Sequence, residues 1–488
     1  MAVEYDLVVI GGTLAGSHAA RMAAELKARV AWVVPETWGN EDLAAPEIAH
    51  QALAHVAQLS QRVDQSQCLG LLEPSIGAKA FNLGEQWPQV SAWMQQVSLN
   101  WEAQTSASIL SALGVEIICS AGQFCRLPRF AFSVSDRLLR SRAYLLALES
   151  CPVVPEIPGL SSTGFLTAAN FAAAIANQGL PASVVILGGD PTGIALAQTL
   201  VRLNVSVTLI VAGDRLLPYQ DAEVAFLLQA QLEAIGVRIL TQTEVTQVRE
   251  IEQQKWVQAG NQAIAADEIV VAMGQRPQVE SLNLEAAAVE WSPQAVWCNP
   301  KFQTTNSRVY VCGNPLAGEL LPHVAQYEAA IAVKNALFFP RYSANYKGIA
   351  TVLTTDPALA RLGLTEAEAR QRYGKAVLVL RQHFNTLALS QIRGETTGLC
   401  KLVVHRNGSI LGAHILGPGA GELIAVIALA MRQQLKIDAI ADLATASPAY
   451  AEILSQTATE WQLHRFKHSS LWQNLLEGWL NFRRSWSS

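Results

Sequence analysis

Residues 6–24 read DLVVIGGTLAGSHAARMAA, an apolar run, a glycine-rich turn and an alanine-rich segment in series. The same order returns at residues 183–202, which read SVVILGGDPTGIALAQTLVR. Each stretch leads into a second apolar run, VAWVV at 30–34 and VSVTLIV at 205–211. This strand, turn, helix and strand order lets the glycine backbone approach a pyrophosphate at a helix N-terminus. The sequence therefore predicts two units with nucleotide-sized sites.

The pattern changes after Ser343. Segments such as LCKLVVH and ILGAHILG predict alternating strands, and a helix is predicted from Gly421. With 488 residues the chain is also well beyond the roughly 250 to 300 residues at which a single core stops growing. We therefore predict an α/β protein with two Rossmann-like nucleotide-binding domains and a C-terminal α+β domain.

The composition is that of a folded protein, with 50% hydrophobic and 15% charged residues. A formal net charge of −5 gives no global basic field, so no nucleic-acid partner is expected. The N-terminus lacks the features of a secretory signal, and no apolar run reaches the roughly 18 residues that span a bilayer. Seven cysteines without a CxxC pair are typical of a reducing compartment and form no zinc motif. We expect a cytoplasmic protein without a bound metal.

Further motifs follow in order along the chain. They are YDLVVIGGTLAG from Tyr5, SCPVVPEIPGL from Ser150, VVILGGDPTGIALA from Val184, GDRLLP from Gly213, VAMGQRP from Val271, TTNSRVYVCGN from Thr304, LPHVAQYEAA from Leu321, TTDPALARLGLTEAEAR from Thr354 and GSILGAHILGPGAGELI from Gly408. Together they resemble the FAD-dependent pyridine nucleotide-disulfide oxidoreductases, the family of dihydrolipoamide dehydrogenase, glutathione reductase and mercuric reductase. The resemblance covers Tyr5 to about Gln462.

The resemblance implies an FAD-binding domain interrupted by an NAD(P)-binding domain, followed by a dimerisation domain. On this chain the FAD-binding domain would comprise 1–160 and 271–342, and the NAD(P)-binding-like domain 161–270. The dimerisation domain would comprise 343–462, and residues 463–488 would form a separate tail. The resemblance also implies a homodimer.

The family's FAD motifs carry over to this chain position by position. The candidate FAD-binding residues are Gly11, Gly12, Thr13, Ala15 and Gly16 in the first turn, and Glu36, Gly313, Asn314 and His323 elsewhere. Thr13 replaces the middle glycine of the turn, where its hydroxyl can bond a phosphate. Asn314 replaces an aspartate and keeps hydrogen-bonding capacity without the charge. For His323, contact with the flavin region and a helix-capping or structural role are equal alternatives.

Two positions oppose FAD binding. The strand-end acid that would hold the adenosine ribose is Val34, although Glu36 could substitute if the strand end shifts. Glu149 places a carboxylate where the family backbone passes close to the cofactor. Glu149 can point outward from the strand end, and the glycine turn has no other evident purpose. We therefore expect FAD to be retained at about one molecule per chain.

The second turn is altered more severely. Asp190 stands at the middle-glycine position, where its charge would face a dinucleotide pyrophosphate unless it turned away. Val211 stands where an acid would select NAD or nearby arginines would select NADP. NAD(P)H binding is therefore expected to be weak or absent.

The family's disulfide chemistry needs two cysteines, a lysine and a histidine. An ungapped alignment puts Asp42 and Glu47 at the cysteine positions and Gln51 at the lysine position. Ser447 replaces the histidine, and only Glu452, which would orient it, remains. Without paired sulfurs there is no thiolate for disulfide exchange. The sequence predicts that the chain is not a disulfide reductase.

Several of these positions allow two interpretations. Asp42 and Glu47 could pass protons to a flavin or substrate, although ordinary helix-start acids are the favoured interpretation. Cys119 and Cys125 could form a surrogate redox pair, although structural thiols are favoured. Ser447 fills the space of an imidazole, and no catalytic residue is assigned.

The tail differs from the rest of the chain. From Trp461 onward it holds four of the twelve tryptophans, with four basic residues against one acid. Its leucine, tryptophan and phenylalanine residues follow helical spacing on one broad apolar face between Leu471 and Phe482. Such a helix binds a membrane surface or docks on a protein, and both interpretations stay open. The first would make the protein peripheral on a membrane.

We therefore expect an FAD-binding, oxidoreductase-like flavoprotein without disulfide reductase chemistry, which passes electrons from flavin to a non-thiol acceptor if it is active. The alternative is a pseudoenzyme that serves as a scaffold or assembly factor through its fold and its tail.

Overall fold

A computed structural model describes residues 3–35, 46–71, 83–103, 107–126, 129–313, 321–468 and 470–486. Glu36, Asp42 and Asn314, which the sequence singled out, lie outside these ranges.

The helices and strands of the described residues are as follows. The helices are α1 (Leu14–Glu25), α2 (Pro46–Cys68), α3 (Leu83–Ala103), α4 (Ala107–Ala112), α5 (Leu160–Thr163), α6 (Phe171–Gln178), α7 (Pro191–Arg202), α8 (Ala222–Ala234), α9 (Pro322–Leu337), α10 (Glu366–Tyr373), α11 (Ala388–Arg393), α12 (Ala420–Arg432), α13 (Ile437–Ala441), α14 (Glu452–His468) and α15 (Ser470–Trp486). The strands are β1 (Tyr5–Ile10), β2 (Val30–Val34), β3 (Glu116–Cys119), β4 (Gly122–Cys125), β5 (Ala131–Val134), β6 (Arg137–Leu139), β7 (Ser141–Ala147), β8 (Ser150–Pro152), β9 (Leu166–Thr167), β10 (Ser183–Leu187), β11 (Ser206–Ile210), β12 (Arg238–Leu240), β13 (Val245–Ile251), β14 (Gln254–Ala259), β15 (Gln262–Ala266), β16 (Glu268–Val271), β17 (Gln275–Pro277), β18 (Trp291–Ser292), β19 (Ala295–Val296), β20 (Val309–Cys312), β21 (Thr351–Leu353), β22 (Ala358–Gly363), β23 (Val377–His383), β24 (Leu399–His405) and β25 (Ile410–Gly417).

Strand β1 is the central strand of a parallel sheet with the order β20-β7-β1-β2-β3. Its last residue, Ile10, pairs with Val33 of β2 on one side and with Leu146 of β7 on the other. Helices α1 and α9 pack together over this sheet, and the buried alanines of α1 allow the close approach. The turn after β1 therefore lies at the carboxyl edge of the sheet, where such folds bind nucleotides.

Strand β10 is the central strand of a second parallel sheet, with the order β12-β11-β10-β16-β9. Its last residue, Leu187, pairs with Ile210 of β11 and with Val271 of β16. Helix α7 follows directly after the second glycine-rich turn and has a proline in its first turn, as helix starts favour. Both strand–turn–helix units predicted from the sequence are present.

The chain divides into two compact units. The first comprises Met1–Arg215 and Glu233–Ala344, and the second comprises Leu216–Leu232 and Asn345–Ser488. The second unit contains an antiparallel sheet with the order β21-β22-β25-β24-β23, covered by helices α12 and α14. The predicted fold class is confirmed. The finer domain boundaries remain a prediction. They place residues Leu216–Leu232, called here the α8 segment, in the NAD(P)-binding-like domain, whereas these residues belong to the second unit.

Buried charges hold the α8 segment in the second unit. The side chain of Lys401 on β24 is 2% exposed, and its Nζ lies 2.8 Å from carboxylate oxygens of Asp221, Glu223 and Glu366. Arg381 binds Glu223 and Glu366 at 2.9 and 3.1 Å. Burial alone would raise the pKa of the Asp221 carboxyl, but the hydrogen bond from Lys401, the charges of His414 and Lys401 and the hydrogen bond from the Glu366 amide together outweigh it, so the pKa is lowered. The ammonium has an acceptor for each of its three donors.

Lys401→Met should lower the free energy of unfolding of the second unit by about 3 to 5 kcal/mol, because it leaves the buried carboxylate of Asp221 without its cation. Guanidinium unfolding followed by circular dichroism measures the change. Lys375→Met is the matched control, since Lys375 is an exposed lysine of the same unit, and it should change stability by less than about 0.5 kcal/mol. Equal stability of the wild-type and Lys401→Met proteins would contradict this role of the network.

Candidate functional site

The first glycine-rich turn is pressed against the end of strand β7. Gly11 has φ +122°, and a Cβ at this position would lie 2.0 Å from the carbonyl oxygen of Ala147. A Cβ at Gly16 would lie 2.4 Å from the carbonyl oxygen of Gly11. Neither position has room for a side chain, and the φ of Gly11 favours glycine independently. Strand, turn and helix thus pack as closely as a dinucleotide-binding turn requires.

Two hydrogen bonds fix the first glycine-rich turn and the start of the helix that follows it. The buried indole of Trp32 on β2 donates from Nε1 to the carbonyl oxygen of Gly11 over 2.8 Å. Thr13 is the N-cap of α1, and its Oγ1 accepts from the amide of Gly16 at 3.2 Å. The hydroxyl that the sequence assigned to a phosphate therefore caps its own helix. Ala15 is buried in the first turn of that helix.

The carboxylate of Glu149 binds the backbone of the first turn. The amide of Gly12 donates to Oε1 of Glu149 over 2.7 Å. The outward orientation that the sequence allowed for Glu149 is therefore not the one observed. The reason is that β7 runs parallel to β1 and ends beside it, so a residue just past β7 reaches the turn. An amide at a helix start has no partner within the helix, and a carboxylate is a strong acceptor for it.

A buried glutamate binds the glycine that follows β20 in the same sheet. Glu328 of α9 is 3% exposed, and its Oε2 accepts from the amide of Gly313 over 2.9 Å. The sequence reasoning singled out Gly313 and missed Glu328. The available signal was a single acid among the apolar residues of HVAQYEAA. Asn314, the next residue after Gly313, is not among the described residues.

Glu47 and His323 are brought within electrostatic range of each other. Glu47 lies in the first turn of α2 after Pro46, as its interpretation as a helix-start acid requires. Burial raises the pKa of the Glu47 carboxyl, and the nearby His323 partly offsets this effect. Because Asp42 lies outside the described ranges, the hypothesis of a carboxylate pair stays a prediction.

Asp190 closes the second turn in a similar way. Its Oδ1 accepts from the amide of Gly193 at 2.6 Å, which caps helix α7, and its Oδ2 accepts from the amide of Gly274 at 3.3 Å. Burial raises the pKa of Asp190, against the effect of these two hydrogen bonds. The side chain thus turns toward its own helix and the loop after β16. In this position it occupies one amide in the first turn of α7 and one in the loop after β16.

Val34, Ser447 and Glu452 stand at the remaining positions that the sequence matched to the family. Val34, at the end of β2, is 1% exposed and packs in the core. Ser447 is exposed, whereas Oε1 of Glu452 accepts from the amide of Ala449 at 2.8 Å. The glutamate that would orient a histidine therefore binds the backbone before its own helix, α14.

The two candidate surrogate cysteines lie in different sheets. Cys119 ends β3 in the first parallel sheet and is exposed. Cys125 belongs to the small sheet β4-β5-β6, and its Sγ lies 3.5 Å from the carbonyl oxygen of Ala131. Both thiols are free, and the choice between a structural and a redox role stays a prediction.

The tail forms helix α15 with an exposed aromatic row. Trp479, Phe482 and Trp486 are 58%, 48% and 82% exposed, and their successive ring centroids are 5.9 and 5.4 Å apart. Arg483 and Arg484 lie in the last turn of the same helix. Among the described residues, no helix combines the length and the apolar character needed to cross a membrane.

Two family profiles match the chain. Residues 5–331 match the pyridine nucleotide-disulphide oxidoreductase family, and residues 349–458 match its dimerisation domain. The chain is 27% identical to a mercuric reductase of Staphylococcus aureus, over 90% of this chain and 79% of that protein. It is 26% identical to a dihydrolipoyl dehydrogenase of Bacillus subtilis (strain 168), over 92% and 97% of the two chains.

Solved structures show the same fold at lower identity. The HOCl-induced flavoprotein disulfide reductase RclA from Escherichia coli, as its Cu(II) complex, is 20% identical, with a TM-score of 0.80 over 94% of this chain and 100% of that chain. LpdA from Mycobacterium tuberculosis, also 20% identical, has a TM-score of 0.81 over 93% and 99% of the two chains. The two glycine-rich units, the C-terminal sheet and the profile matches agree. The chain belongs to the pyridine nucleotide-disulphide oxidoreductase family, a family of FAD-dependent oxidoreductases.

Proposed function

We propose that this chain is an FAD-binding flavoprotein without thiol–disulfide chemistry, which passes electrons from the flavin to a non-thiol acceptor. One observation carries the proposal. The amide of Gly12 at the first turn holds an oxyanion, the Glu149 carboxylate, at 2.7 Å. This amide still serves as an anion-binding group, which is the property that a cofactor phosphate needs.

The packing of the turn supports a cofactor fit. Gly11 and Gly16 keep the backbone in the tight arrangement described above, and α1 begins directly at the turn. The Gly12 amide would donate to the cofactor phosphate once the Glu149 side chain moves away, and Gly11, Thr13, Ala15 and Gly16 remain the proposed residues of the turn around it. When bound, FAD would supply the electron-transfer chemistry. Glu36, Gly313, Asn314 and His323 remain proposed contacts of the rest of the cofactor.

The loss of thiol chemistry rests on three positions. Glu47 stands at a cysteine position, and Ser447 stands at the histidine position. Glu452 is bound to the amide of Ala449. This carboxylate oxygen is therefore engaged by the backbone and not by a side chain at position 447.

A scaffold or assembly function is the second candidate, favoured by a specific observation. At both glycine-rich turns, backbone amides are bound by acids of the chain itself, Glu149 and Asp190. A fold that fills its own anion sites no longer needs a nucleotide for those contacts. Residues 349–458 match the dimerisation domain, so we propose a homodimer for either function.

We propose that NAD(P)H binds weakly, whether the chain is a flavoprotein or a scaffold. Asp190 occupies the amides of Gly193 and Gly274, and a pyrophosphate would have to displace it against its charge. Val211 offers no group that selects between NAD and NADP. We also propose a cytoplasmic location, with the tail contacting a membrane surface or a partner protein.

Protein dialysed against excess FAD should gain an oxidised-flavin absorption band equivalent to about one FAD per chain. Gly11→Ala should abolish this uptake, because its Cβ would collide with the carbonyl of Ala147. The matched control is Gly188→Ala in the second turn, where φ is +105° and the Cβ would lie 2.1 Å from the carbonyl oxygen of Ala272. It carries the same strain but should keep the band. Folded wild-type protein that takes up no FAD would support the scaffold function instead.

No turnover is expected with dihydrolipoamide, glutathione or thioredoxin as the disulfide couple, because the paired sulfurs are missing at the matched positions. A dihydrolipoyl dehydrogenase with its cysteines intact serves as the positive control in the same spectrophotometric assay. Turnover that disappears in Cys119→Ser or Cys125→Ser would contradict the proposal and establish a surrogate thiol.

If the tail binds a membrane, anionic vesicles should co-sediment the intact chain but not a chain that ends at His468, and salt should weaken the binding. A triple variant, Trp479→Ser with Phe482→Ser and Trp486→Ser, keeps both arginines of α15 and should also lose binding. Trp297→Ser is the control, since Trp297 is 62% exposed outside the tail. Equal sedimentation of the full and shortened chains would favour docking on a protein.

A further inference from the structure

We infer that Glu149 is an intramolecular competitor of the cofactor phosphate: its carboxylate holds the Gly12 amide in the free protein and must leave when FAD binds. The inference rests on the proposed function, that the first turn binds FAD. It adds a residue that sets the affinity of this site.

The backbone around Glu149 is fixed on both sides. The amide of Leu148 donates to the carbonyl oxygen of Cys312 at 3.1 Å, and the carbonyl oxygen of Glu149 accepts from the amide of Gln278 at 2.9 Å. Ala147, one residue earlier, is fully buried and packs against Gly11. The main chain therefore cannot carry Glu149 away from the turn. Only rotation of its side chain, which is half-buried, can free the Gly12 amide.

The chemistry of the two ligands makes their binding exclusive. A carboxylate oxygen and a phosphate oxygen are both anionic acceptors, and the amide of Gly12 has a single hydrogen to donate. A phosphate at the turn would also lie close to the Glu149 charge, which is repulsive. FAD then binds only those molecules in which the Glu149 side chain has turned away. The apparent affinity for FAD is reduced in proportion to the fraction of molecules in that state.

The second turn provides an internal comparison. Asp190 belongs to its own turn and caps the helix that follows, through Oδ1 at 2.6 Å from the amide of Gly193. Glu149 comes from a different strand, while Thr13 already caps α1. Removing Glu149 thus leaves the helix cap of the first turn in place. A matching change at Asp190 perturbs the second turn and leaves the first unchanged.

Fluorescence titration with FAD at equilibrium tests the inference on the full-length chain. Glu149→Ala should lower the apparent Kd for FAD at least about tenfold, because the amide is freed and the charge removed. Glu149→Gln should lower it by a smaller factor, since the amide oxygen of glutamine can still accept from Gly12. Asp190→Ala should leave the FAD Kd unchanged and improve the binding of NADH. Thermal unfolding of each variant checks that it is folded.

Three results would overturn the inference, and they are distinguishable. If wild type and Glu149→Ala bind FAD with the same Kd, Glu149 does not compete, while the proposed FAD binding stands. If neither protein binds FAD, removing the acid has failed to open the turn, and the proposed FAD binding fails together with the inference. A gain of FAD affinity in Asp190→Ala equal to that in Glu149→Ala would also overturn it, because the effect would not belong to the first turn.

Discussion

The contact between Gly11 and the end of β7 is the constraint on which the first site depends. A backbone that passes within 2.0 Å of an added Cβ leaves no freedom in the position of the turn relative to Ala147. Because the strand end is fixed there, residue 149 is carried to the turn whatever its side chain is. A glycine at that place would leave the turn open to a ligand. A glutamate brings its carboxylate to the amide of Gly12.

At both parallel sheets, an acidic side chain of the protein binds backbone amides at the glycine-rich turn. Each turn presents backbone amides at the start of a helix, where the helix itself provides no acceptor. Each is bound by an acid of the chain, by Glu149 from a neighbouring strand and by Asp190 from the turn itself. The nucleotide-binding geometry is kept in the backbone while side chains supply the negative charge.

Local pattern was sufficient to predict the strand–turn–helix units, because β1 with α1 and β10 with α7 are formed by residues close in sequence. The orientation of Glu149 could not be predicted in this way. It follows from the register of β7 against β1, which joins residues far apart in the chain. The role of Glu328 could not be predicted for a similar reason, since its partner Gly313 follows a different element, strand β20. The placement of the α8 segment depends on the ion pairs of Lys401 with distant acids, and hydrophobic periodicity does not report such pairs.

A crystal structure of the cofactor-free protein, at a resolution that separates the two carboxylate oxygens of Glu149, tests the central claim most directly. We expect density for a Glu149 oxygen within hydrogen-bonding distance of the Gly12 amide, with no water between them. A Glu149 side chain turned into solvent, with a water molecule bound to the Gly12 amide, would contradict it.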